Sequence, residues 1–180
     1  MSDFYIDNPE KFSEGIKKLN LESNLPKVIK NNLKRSGLFY ILDKKSHIQK
    51  PKLSHLKPRF EDWSLIKAQI MISGKIKIDE KGRLRVEFRL WDVVSAKEIE
   101  GLALFATPKS WRRIGHIISD KIYQRMTGEE GYFDTRIIYV AESGPKNERV
   151  KKLAIMDQDG ANTKYLTFGN ELVLTPRFNP

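Results

Sequence analysis

The chain has no cysteine, which removes disulfides, thiol nucleophiles and thiolate metal sites from consideration. It has no apolar run near the roughly 18–20 residues needed to cross a bilayer, so no membrane insertion is expected. The opening, MSDFYIDNPEKFSEG, lacks the basic-then-apolar pattern of a secretory signal peptide. There is no glycine-rich phosphate loop and no nucleophile elbow. Carboxylates at Asp92, Glu98 and Glu100 flank strand-like segments, yet the pattern brings no acid and base into mutual reach. The expectation is a protein that is not an enzyme and carries no catalytic, cofactor-binding or metal residues. Acid is also scarce between Lys27 and Arg59, where Asp43 is the one carboxylate among many lysines and arginines. That segment holds nearly all of the formal net charge of +10. Such a stretch suits nucleic acid, anionic lipid, an acidic protein, or simply solvent.

What is present reads first as helix and then as sheet. From Leu25 to Ser36, Leu25, Val28, Ile29 and Leu33 form one apolar stripe, with Lys27, Lys30 and Lys34 on another face. Ser23 or Asn24 is a candidate cap, Pro26 falls in the first turn, and Gly37 is placed to end the helix. LFYIL, Leu38 to Leu42, reads as a buried strand. The basic stretch 44–59, with Pro51 and Pro58, has no period and reads as a long surface loop. GKIKI and RLRVEFRLW, separated by Asp79-Glu80-Lys81-Gly82, alternate strictly and predict a hairpin with one dry and one wet face. A third strand over Glu98 to Phe105 completes an antiparallel meander. A second helix is predicted from Ser110 to Thr127, with Trp111, Ile114, Ile118, Ile122 and Met126 on one side and Thr127-Gly128 as its stop.

Two amphipathic helices and a one-faced sheet cover each other. The fold class is therefore α+β, a two-layer sandwich of a largely antiparallel sheet with two helices over residues 1–129. After a linker at 130–135 the texture changes to short, closely spaced strands over 136–180, an all-β element.

Two groups of residues invite a metal. In IMDQDGAN (Ile155 to Asn162) the aspartates of DQDG suggest a calcium loop. Counted from Asp157, however, glycine falls at position 4, Ala161 at position 5 and Phe168 at position 12, and the flanks are strands rather than helices. Asp159-Gly160 instead predicts a hairpin turn. The three histidines, His47, His55 and His116, form no ligand set. His116 has only Asp120 at helical spacing, which reads as a surface hydrogen bond. Trp63, Trp91 and Trp111 read as core or domain-contact residues rather than base-stacking platforms. Phe39 and Tyr40 are expected to be buried, which leaves the basic helix without an exposed aromatic. A small basic nucleic-acid-binding domain is the alternative reading.

Several stretches resemble the TolB family: TGEEGYFDTRIIYVAES (Thr127 to Ser143), KLAIMDQDGANTKYLT (Lys152 to Thr167) and LTPRFNP (Leu174 to Pro180). The first is similar to the join between that family's N-terminal domain and its β-propeller. The other two are similar to its propeller repeat, an Asp-Gly-x-Asn tip followed by Leu-Thr and Pro-x-Phe. NNLKRSGLF, LRVEFRLWDVVSAKEI and WRRIGHIISDKIYQRMTG resemble the N-terminal domain. The resemblance implies an anticodon-binding-domain-like α/β unit followed by an incomplete first propeller blade. It also implies a non-enzymatic, periplasmic component of the Tol–Pal envelope complex, which maintains the outer membrane and its constriction at division. Its implied partners are TolA, through the N-terminal region, and Pal, through the full propeller, with partner-binding residues unassigned. The chain holds residues for about one blade where a propeller needs several, so a truncated form is expected.

Overall fold

The structure, a computed structural model, describes residues 1–56, 58–169 and 173–178. It divides into two compact units, Met1–Gly131 and Tyr132–Pro180.

The first unit is built on a sheet of order β1-β2-β3-β4. Its strands are β1 (Tyr5–Ile6), β2 (Ile70–Ile78), β3 (Leu84–Asp92) and β4 (Lys97–Ala106). β2, β3 and β4 are the antiparallel meander read from the alternation. Leu84, Val86, Phe88 and Leu90 are buried while Arg85, Glu87 and Arg89 face outward. Helices α2 (Leu21–Arg35) and α5 (Trp111–Thr127) lie on the dry face. Leu25, Ile29, Leu33, Ile114, Ile118 and Ile122 form one core with Ile76, Val86 and Phe88. At the helix contact, a Cβ added to Gly115 would lie 3.0 Å from Val28 Cγ1 and 3.3 Å from Leu25 Cδ1. Gly115→Leu should therefore push α5 off α2 and cost about 1–3 kcal/mol by overpacking, read as a lower urea midpoint at unchanged slope.

α2 starts four residues earlier than its pattern predicts. Leu21 is buried and extends the apolar stripe by one turn, and Asn20, at φ 44°, turns the chain into the helix. Ser23 and Asn24 consequently lie inside the helix rather than at its cap, and Pro26 is an interior residue. An interior proline leaves the carbonyl four residues back without its usual donor. Here that carbonyl, Glu22 O, accepts from Phe4 N at 3.0 Å. The helix's defect is thus the anchor of the N-terminal segment. β1 adds to β2 in parallel, with Tyr5 opposite Lys75, a fourth strand that two residues were too short to announce. Phe4 itself is 1% exposed and lies where a side chain at position 74 would be.

Two further expectations fail. LFYIL is not a strand: residues 38–42 carry no regular structure, and β2 takes β1 rather than this stretch as its second neighbour. Its alternation survives, with Phe39 and Ile41 packed against the core, but Tyr40 is 91% exposed rather than buried. The stretch 44–59 is not an unstructured loop. It contains a 3₁₀ turn at Lys44–Ser46 and helix α3 (Pro51–Leu56), and α4 (Phe60–Leu65) follows. Pro51 opens α3, as a proline suits a first turn. Gln49 fastens the segment, its Oε1 accepting from Arg59 N at 3.0 Å. Behind α4, Trp63, Ala68, Met71, Trp91 and Val93 form a second small core, so one end of the sheet is covered on both faces. A four-residue helix, α1 (Glu14–Lys17), lies between β1 and α2.

The second unit is a three-stranded sheet of order β5-β6-β7: β5 (Arg136–Ser143), β6 (Val150–Asp157) and β7 (Lys164–Tyr165). β5 and β6 pair antiparallel from Arg136 opposite Asp157 to Ser143 opposite Val150. Of the short strands expected over 136–180, the third is only Lys164–Tyr165. The last two residues of LTPRFNP, 179–180, lie outside the described residues, as do residues 170–172.

Candidate interaction surfaces

The DQDG turn is a hairpin tip, as its sequence predicts. Gly160 has φ +83° and Asn162 φ 56°, and Asp157 N donates to Ala161 O at 2.9 Å. Each aspartate serves the turn: Asp157 Oδ2 accepts from Asn162 Nδ2 at 2.6 Å, and Asp159 Oδ1 from Ala161 N at 3.2 Å. The Leu-Thr pair that follows has a structural task. Leu166 N donates to Leu153 O at 2.7 Å, and Thr167 Oγ1 accepts from Leu153 N at 2.9 Å. The hydroxyl thereby replaces a backbone acceptor just past the end of β7. Tyr165, Leu166 and Phe168 of this unit are exposed.

His116 is not on the surface. It is buried on α5 facing α2, with Nδ1 2.9 Å from Asn32 Nδ2, and the same amide donates to Ser119 Oγ at 3.0 Å. These residues form a polar seam through an otherwise apolar helix contact. Asn32 is the residue the sequence pattern missed, since its position on the apolar stripe was the only sign. His47 and His55 are separated from it and from each other in role. His47 stacks on Trp63 with centroids 4.9 Å apart, and His55 meets Tyr5 edge-on at 5.5 Å. Burial lowers both imidazoles to about 4, helped by Met1's α-amino group and Lys30 for His47, and by Arg89 and Lys75 for His55. Both are neutral near pH 7.

The carboxylates singled out at the strand ends have turn and pairing roles. Asp92 Oδ1 accepts from Val94 N at 2.8 Å and Ser95 N at 3.0 Å, and these backbone donors hold its pKa low. Glu98 lies 3.8 Å from Arg89 Nε. On the wet face, Glu87 lies 3.1 Å from Lys75 and 2.9 Å from Arg85. Burial pushes Glu87 up, but the Lys75 hydrogen bond and the two cations outweigh it and hold the carboxyl below its ordinary value. All three tryptophans are wholly or partly in the cores, with Trp91 Nε1 donating to Ser73 Oγ at 3.1 Å.

The basic segment forms a surface rather than a site. Lys27, Lys34, Lys45, Lys50 and Lys52 are exposed, and none forms an ion pair among the described residues. Lys44 pairs with Asp3. Beside these lysines, residues 38–42, His47, Trp63 and Lys67 line a largely apolar cavity of about 420 Å³. No helix among the described residues is long and apolar enough to cross a membrane.

Sheet, helices and hairpin tip together define a class: an α+β domain joined to propeller-repeat β structure. Comparison with known proteins narrows it. Residues 9–99 match the TolB amino-terminal domain and residues 123–180 the TolB beta propeller domain; the chain belongs to the TolB family. It is 60% identical over 183 residues to the Tol-Pal system protein TolB of Pelagibacter ubique (strain HTCC1062), covering 100% of this chain and 41% of that relative. It is 53% identical over 158 residues to the Tol-Pal system protein TolB of Paramagnetospirillum magneticum (strain ATCC 700264 / AMB-1), covering 88% of this chain and 35% of the relative. The crystal structure of TolB from Acinetobacter baumannii superposes with a TM-score of 0.75 at 25% identity, covering 97% of this chain and 39% of that one. The chain thus spans well under half the length of the relatives it matches.

Proposed function

We propose that this chain is a non-enzymatic, periplasmic protein-interaction component of the Tol–Pal system, with a role in outer-membrane integrity and cell division. The observation that carries it is the order of two family matches along one chain, backed by 60% identity to a Tol-Pal system protein across its whole length. In this reading residues 1–129 are the N-terminal domain, which faces TolA. Residues 130–135 are a linker, and 136–180 belong to the first blade of a propeller whose complete form faces Pal. The surfaces described above are consistent with docking: lysines free of partners, an exposed aromatic, and β structure with exposed Tyr165 and Phe168. The test is recovery of cross-linked partners from cell envelopes with a tagged chain. Enrichment of TolA or Pal over an unrelated periplasmic bait supports the proposal, and equal recovery with both baits contradicts it.

One observation favours a second reading. Tyr40, 91% exposed, stands in the basic segment and supplies the aromatic that a nucleic-acid surface requires. On that reading an unspecific DNA duplex should bind at low salt, with affinity falling steeply as salt rises.

A further inference from the structure

The cavity beside the basic segment has features that neither core packing nor protein docking explains. Its walls are largely apolar, from Leu33, Ile41, Leu42 and Ile72 among others, and its volume of about 420 Å³ falls within the roughly 300–1,000 Å³ of small-molecule sites. Two side chains on its lining have buried polar atoms with no partner among the described residues, and an exposed lysine, Lys67, borders it. Trp63 is 2% exposed, yet its indole Nε1 hydrogen meets no acceptor. Both ring nitrogens of His47, stacked on that indole, are buried and unmatched. The Lys67 ammonium, exposed at the rim, forms no ion pair among the described residues; its φ of 57° belongs to the turn that ends α4, where Lys67 N donates to Ser64 O at 2.8 Å and Ala68 N to Trp63 O at 3.0 Å. Buried polar groups are nearly always hydrogen-bonded, and an orphan among them points to a missing partner.

We propose that this cavity binds an amphipathic carboxylate, its apolar chain among Leu33, Ile41, Leu42 and Ile72 and its anionic head accepting from Trp63 and Lys67 beside His47. The charge of the surroundings selects the sign of the ligand. Lys44 and Asp3 pair with each other, which leaves Lys30 acting on His47 and Lys67 on the lining as the uncompensated charges, so an anion is favoured over a cation. The apolar walls select a hydrocarbon tail over inorganic phosphate. A carboxylate head seated beside His47 also favours the protonated imidazole, which offsets the lowering caused by burial.

The test is a titration of the full chain with decanoate, and with decanol as its uncharged counterpart, followed by the indole and imidazole NMR signals. Trp63→Phe identifies the Trp63 indole resonance. Decanoate should saturate, shift that resonance, and raise the pKa of His47 from about 4. Lys67→Gln should weaken decanoate several-fold and leave decanol unchanged, with circular dichroism confirming the fold. The proposal is overturned if decanoate leaves the Trp63 indole unmoved. It is equally overturned if decanol binds as tightly as decanoate, or if Lys67→Gln has no effect.

Discussion

Gly74→Ala is expected to destabilise the α+β domain by about 3 kcal/mol, far more than an alanine normally costs in a strand. The backbone at Gly74 is not special; the space above it is. A Cβ there would lie 2.2 Å from Cδ2 of the Phe4 ring and 2.4 Å from its Cγ, well inside contact distance, so Phe4 must leave. Phe4 is among the most deeply buried side chains, and removal of a buried phenylalanine typically costs about 3–5 kcal/mol. The loss is compounded because Phe4 N satisfies the Glu22 carbonyl that Pro26 leaves open. A double-mutant cycle separates this from any intrinsic strand effect. Phe4→Ala alone should cost about as much as Gly74→Ala alone, and once Phe4 is gone Gly74→Ala should cost almost nothing. Additive losses in urea denaturation would mean that Phe4 does not occupy the space above Gly74.

The second large effect is acid destabilisation through His55. This side chain is 1% exposed and its Nδ1 has no partner among the described residues. Burial, then Arg89 and Lys75, lower it from 6.5 to about 4. The unfolded chain therefore takes up this proton before the folded one does as pH falls. The contribution of neutral His55 is fully present above the unfolded value of 6.5 and is lost as pH drops toward about 4. A depression of that size corresponds to at most about 3.4 kcal/mol. His47 is lowered to about 4 as well and acts in the same direction over the same window. The urea midpoint should accordingly fall between pH 7 and pH 4.5. His55→Phe, which keeps an aromatic ring against Tyr5, should flatten the fall without abolishing it. An unchanged pH slope in His55→Phe would show that His55 titrates freely in the folded protein.

How much of this was legible depended on whether a feature was local. The meander was legible because period-2 alternation in GKIKI and RLRVEFRLW carries register as well as strand content, and β2 to β4 follow it closely. Helix α5 was legible from its stripe and from Gly128, which does adopt φ 80° at the C-cap. The DQDG turn was legible because glycine position, the missing ligands at positions 5 and 12 and the strand flanks together separate a hairpin from a calcium loop. What failed required a partner distant in sequence. Pro26 reads as a helix start unless Phe4 is known to supply the missing donor. LFYIL has the composition of a strand, but hydrogen-bonded neighbours, not composition, make one. Stretch 44–59 hid two helical elements because helices of a turn or two show no measurable period. The lysines were visible at once. The cavity was not, since nothing local in the sequence brings Trp63, His47 and Lys67 together with residues 38–42.

The charge pattern and the family membership point to different partners, which makes the choice between them the sharpest test. Titration calorimetry of the purified chain against TolA, against Pal and against a short unspecific DNA duplex, each at physiological salt, addresses it in one experiment. The proposed function predicts saturable heat with a Tol–Pal protein and none with the duplex. Absence of heat with both proteins, together with duplex binding that weakens steeply as salt is raised, would contradict it.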